Sequence, residues 1–117
     1  ADIFSYRYSE VYGGYFVSLS MDGKKLFAEM PRAKVNITLD LQSEYLTERE
    51  LKIVGFDYNA FEGLELDTLT IRGETQTFYL LENSLFGTSL KTIKRSAGLT
   101  LDGLETAIDS EFAEVVL

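Results

Sequence analysis

The 117 residues contain no histidine, cysteine or tryptophan, and nineteen acids against eleven bases leave a formal net charge of −8. Without imidazole or thiolate, the commonest general acid–base and covalent routes are closed, and so are disulfides and the usual zinc sites. Chemistry could rest only on carboxylates, lysines, tyrosines and hydroxyls, and the length suits one hydrophobic core, so a single domain spanning residues 1–117 is expected.

The chain opens on a cluster of aromatic residues. Tyr6, Tyr8, Tyr12 and Tyr15 fall within ten residues, beside Phe4, Arg7, Phe16 and Gly13–Gly14. Tyrosine and arginine combine large contact area with a polar tip, which suits the centre of an interface. Alternating tyrosines also line ordinary strands. Neither a basic leader nor a long apolar run precedes them, and the longest strongly apolar run is Phe78–Leu81, so a soluble chain of the cytoplasm is expected, or of a virion or host cytoplasm if viral.

Residues 15–20 alternate, Met21-Asp22-Gly23-Lys24 intervenes, and alternation resumes over Leu26–Met30, which predicts a hairpin turning at Asp22-Gly23. Val35, Ile37, Leu39 and Leu41 alternate with Asn36, Thr38, Asp40 and Gln42, the clearest half-buried strand. In residues 43–61, Thr47 and Glu50 resemble a capping box while Ile53, Val54 and Phe56 favour a strand, so a short helical turn leading into a strand is expected. Leu64–Arg72 and Thr75–Glu82 predict a second hairpin through Gly73-Glu74, with a bulge between Asp67 and Leu69 where the alternation slips.

Ser89–Ala97 has helical spacing, with Lys91, Lys94 and Arg95 near its end and Gly98 as a stop. Leu104, Ala107, Ile108, Phe112 and Val115 recur every three or four residues, predicting an acidic amphipathic helix, with an edge strand over Phe112–Leu117 as the alternative. No internal repeat is identified. Strands first and helices later predict an α+β fold, mainly an antiparallel β-sheet built from hairpins with one or two short helices in the C-terminal third.

No constellation supplies the missing catalytic groups. The acid-rich segment from Asp57 to Asp67 fails as an EF-hand because Phe61, Glu62 and Thr68 occupy positions that need a ligand, a glycine and a bidentate glutamate. Nineteen acids allow many carboxylate pairs but specify none, so a small carboxylate-dependent hydrolase is the weakest alternative. No catalytic residue, metal or cofactor is assigned. The charge is uneven: residues 62–117 carry ten acids and four bases, and no base follows Arg95. Such a field repels nucleic-acid phosphates and attracts basic protein surfaces.

The expected function is therefore a non-enzymatic protein-binding domain engaging a basic partner, as an inhibitor or nucleic-acid mimic, without direct nucleic-acid or membrane binding. The candidate partner-binding residues are Tyr6, Tyr8, Tyr12 and Tyr15 with Glu105, Asp109 and Glu114. The alternative is a structural subunit of a homo-oligomeric or viral assembly that pairs through strand edges.

Overall fold

A computed structural model describes residues 2–30 and 34–117. Among the described residues it has nine strands, in a mixed five-stranded sheet and a parallel four-stranded sheet, and only 15% of the chain is helical, an α/β arrangement. The expected mainly antiparallel sheet is not found. Among the described residues only β1 (Phe4–Ser9) and β2 (Gly14–Leu19) pair antiparallel, and every other strand pairing is parallel.

The reason lies at the corners. Sheet A has the order β1-β2-β4-β6-β8, with β4 Ile53–Phe56, β6 Gln76–Leu80 and β8 Leu99–Asp102. Sheet B has the order β3-β5-β7-β9, from Val35–Asp40, Leu66–Arg72, Thr92–Arg95 and Ala113–Val116. From β2 onward, successive strands alternate between sheets, so each strand bonds to one lying a full circuit away. β5 and β6, expected to form a hairpin, flank the corner at Gly73-Glu74-Thr75 and lie in different sheets. Gly73 N–H donates to Ser96 Oγ at 3.1 Å, joining this corner to that of the next circuit. A Cβ at Gly73 would stand 2.9 Å from Leu41 Cδ1.

The circuits make a repeat that composition does not reveal. Gly55 faces Tyr79, which faces Asp102, steps of 24 and 23 residues. On the opposite sheet Thr70 faces Lys94, which faces Val115, steps of 24 and 21. Asn59-Ala60-Phe61-Glu62-Gly63 and Asn83-Ser84-Leu85-Phe86-Gly87 hold equivalent bends, with positive φ at both asparagines and both glycines. Stacked circuits of this kind bury a continuous core between neighbours. Phe56 is buried within it, edge-on to Phe61 at 5.0 Å and to Phe78 at 4.9 Å between ring centroids.

Several local expectations change with this topology. Residues 21–28 form helix α1 (Met21–Ala28) rather than a hairpin turn, because Ser20 caps it by accepting from Gly23 N–H at 2.9 Å. Gly23 is needed there for packing, since its missing Cβ would collide with the Ile3 carbonyl. The strand at 35–40 forms as expected, half-buried and alternating. So does the turn leading into a strand, as α2 (Glu44–Glu48) before β4, although its cap is Ser43 and Thr47 lies inside the helix.

The slip at Asp67 is also present: Val35 faces Leu66 and Ile37 faces Leu69, leaving one extra residue in β5. Ser89–Ala97 is not helical. Leu90 and Ile93 are both buried, but through a bend that enters β7, where Ile93 points inward and Lys94 outward. The long C-terminal helix shrinks to α3 (Leu104–Ala107), and the segment after it ends as edge strand β9. Gly103, with φ 99°, occupies the cap of α3 without a side chain to accept its free amides. No described helix is long and apolar enough to cross a membrane.

Candidate functional site

The tyrosine-rich segment folds as the β1–β2 hairpin, and strand alternation divides its residues between two faces. Phe4, Tyr6 and Tyr8 pair with Leu19, Val17 and Tyr15 on the inner face, while Ser5, Arg7 and Ser9 pair with Ser18, Phe16 and Gly14 on the outer face. The connecting turn brings one more tyrosine outward. Tyr12 N–H donates to Ser9 Oγ at 3.3 Å, and Gly13, with φ 68°, returns its own N–H to the Ser9 carbonyl at 2.9 Å. The Tyr12 ring then lies edge-on to Phe16 at 5.2 Å and to Tyr79 at 4.6 Å.

The register continues this outer face across the sheet. Arg7, Phe16, Gly55, Tyr79 and Asp102 form a single row through β1, β2, β4, β6 and β8. Gly55 is the hollow of the row, where a Cβ would meet Phe16 and the Tyr79 carbonyl. Phe16 is only 1% exposed although it lies outside the core between the sheets, whereas Tyr12 above it is 41% exposed. The guanidinium of Arg7 stands 5.2 Å from the Phe16 ring centroid and grips Asp57 through two hydrogen bonds of 2.9 and 3.0 Å. Partial burial works to raise the Asp57 pKa, but the bonds from Arg7 and from Tyr58 N–H outweigh it and hold the carboxyl below its ordinary value.

The seven sequence-derived candidates do not form one surface. Tyr12 alone of the four tyrosines contributes to the outer face. Tyr8 and Tyr15 meet edge-on at 5.2 Å across the hairpin, and Tyr6 turns toward the space between the sheets. Burial, then the proximity of Tyr45 and Asp2, raises the Tyr6 pKa above that of a free phenol. Among the acids, Glu105 is exposed on α3. Asp109 accepts from Gly87 N–H at 3.2 Å, and Glu114 pairs with Arg95 Nε at 2.6 Å. The two latter carboxylates thus tie the last circuits together.

Tyr79 and Asp102 complete the outer row yet are not among the candidates drawn from the sequence, where Asp102 reads only as part of the acidic C-terminal segment and as a helix-capping partner of Glu105. Tyr79 sits between the buried Phe78 and Leu80, so alternation alone marks it as outward. Nothing local marks Asp102 as its neighbour, because that contact depends on the parallel register of β6 and β8. Among the described residues, no three acidic side chains are grouped closely enough to hold a metal ion. Comparison with protein-family models, with curated proteins and with solved structures returns no match.

Proposed function

We propose that this chain is a non-enzymatic protein-binding domain that receives a basic partner segment on the outer face of sheet A. The observation that carries it is the row joining the tyrosine-rich hairpin to the acidic C-terminal third: Tyr12 over Phe16 and Tyr79, with Asp102 beside Tyr79. A partner lysine or arginine would stack on the phenol rings and pair with the Asp102 carboxylate, and the net charge of −8 would steer its approach. The ring stack supports Tyr12 from below, which lowers the ordering cost of using it as an anchor.

The test is affinity capture from the native source at low and high salt, using the wild type, Tyr12→Ala with Asp102→Asn, and a control altered on sheet B at Thr38 and Lys94. The proposal expects a partner held by wild type and control, released by salt and lost by the double variant. A double variant that retains the same partner at the same salt overturns it.

A second use is favoured by β9. This edge strand exposes Val115 and Val116, followed by exposed Leu117, so it offers an apolar edge for pairing between copies. Sedimentation decides this assembly role: a strict monomer throughout the micromolar range removes it.

A further inference from the structure

The two sheets do not end together. β1 carries sheet A one strand beyond β3, where sheet B stops, so the inner residues of β1 have no strand of sheet B opposite them. A cleft of about 380 Å³ opens there between β1, β2 and β4 on one side and β3 on the other, with α2 across one end. This volume lies near the lower end of the roughly 300–1,000 Å³ found for small-molecule sites. The floor is apolar and buried, from Val17, Leu46, Phe56 and Phe61, with Ile37 and Leu39 half-buried along one wall.

The mouth has a different chemistry. Exposed Asp2, Asp40 and Tyr45 stand around it with Tyr6 and Ser43, and none of the described lining residues is lysine or arginine. Arg49, the C-cap of α2, packs against the Tyr45 ring at 3.7 Å from its centroid, donates to the Tyr45 carbonyl, and sets its charge close enough to the Tyr6 phenol to oppose the rise in that group's pKa. Two carboxylates and two phenols therefore line the cleft above its apolar floor, Asp40 with one oxygen already accepting from Gln42 N–H. An anionic head group placed there meets carboxylates on the rim, a neutral molecule leaves them without an ionic partner, and a cation matches both.

We propose that this cleft binds a small hydrophobic amine, with one or two apolar rings on the floor and a protonated amino group among Asp2, Asp40 and the phenols of Tyr6 and Tyr45. The Tyr6 phenol, neutral at physiological pH as tyrosines ordinarily are, offers lone pairs to the ammonium. The cleft lies inside sheet A, whereas the proposed protein-binding row lies outside it. Either can fail without the other.

The test is titration of the isotope-labelled protein by amide NMR with tryptamine, 2-phenylethylamine and 1-adamantylamine, each against an acid of the same ring system: indole-3-propionate, 3-phenylpropionate and 1-adamantanecarboxylate. At least one amine should shift the Tyr6, Ile37, Leu39 and Leu46 amides saturably, and its acid should bind at least about tenfold more weakly. Asp40→Asn, which retains an acceptor for the Gln42 N–H bond, should narrow that difference. Ile37→Phe should fill the cleft from its wall and abolish amine binding while the spectrum stays dispersed; where that variant does not fold, Tyr45→Ala takes its place and should weaken binding. Equal binding of amine and acid, tighter binding of the acid, shifts confined to other residues, or no saturable shift with any of the three amines overturns the proposal.

Discussion

Replacing Gly55 by alanine tests the strand register on which the outer face depends. A Cβ at this position would stand 2.0 Å from the Tyr79 carbonyl oxygen, 2.9 Å from its carbon and 2.7 Å from Phe16 Cε1. The ring could turn aside, but the carbonyl belongs to the neighbouring strand β6, so β4 and β6 would have to separate. Overpacking against mobile side chains costs about 1–3 kcal/mol, and a backbone collision belongs at or above the top of that range. A loss of about 3 kcal/mol or more is a large part of the roughly 5–15 kcal/mol that holds a small domain folded. Gly63→Ala is the matched control. Its φ of 90° strains any larger residue, yet nothing lies within 4 Å of the added carbon, so only a conformational cost of about 1–2 kcal/mol is expected. Urea unfolding followed by far-ultraviolet circular dichroism and tyrosine fluorescence gives both values. If Gly55→Ala costs no more than Gly63→Ala, then β4 and β6 do not meet as described and the row from Arg7 to Asp102 is wrong.

Two further substitutions examine the repeat and the anchor of β1. Ser84 is fully buried with its Oγ unpartnered among the described residues, and the equivalent position one circuit earlier is the fully buried Ala60. Ser84→Ala should therefore stabilise the protein by about 1 kcal/mol in urea unfolding, and a comparable loss would show that the hydroxyl has a partner after all. Asp57→Asn weakens the Arg7 pair, which is worth at most about 1 kcal/mol because the arginine is half exposed. The Asp57 pKa is lowered by folding from an ordinary value of 3.8, so this contribution is present above that pH and is lost as pH falls through the folded value. The difference in urea midpoint between wild type and variant should be measurable at neutral pH and vanish well below pH 3.8. A difference that persists unchanged in acid assigns the effect to packing.

Side-chain alternation made several strands legible because one face of each is buried. Val35–Asp40 shows this directly, and the slip at Asp67 marked a real bulge. Alternation does not say whether the chain reverses within a sheet or turns a corner into another. Gly73-Glu74 satisfies both, so two strands in separate sheets resembled a hairpin. A discriminating signal existed in Asn59-Ala60-Phe61-Glu62-Gly63 and its counterpart 24 residues later, since paired bends at a fixed interval imply circuits. Ser89–Ala97 misled for a related reason. Leu90 and Ile93 have helical spacing, but one precedes β7 and the other lies within it, so both reach the core from an extended path.

The site was legible only in part because the tyrosine cluster is continuous in sequence and divided in space. Tyr6 and Tyr8 have the same parity on β1 and share its inner face, while the turn alone carries Tyr12 outward. β1 is consequently bound on both sides. Arg7 fastens its outer side to Phe16 and Asp57, and Tyr6 on its inner side overhangs the cleft left by the shorter sheet. As the one antiparallel strand among the described residues, β1 stands outside the repeating circuits and covers the end of sheet A without covering the end of sheet B. The same strand thus supports an exposed aromatic row and creates a recess. Substituting Tyr12 removes ring contacts only on the first, and filling at Ile37 closes only the second, so the protein-binding and amine-binding proposals can be separated within one fold.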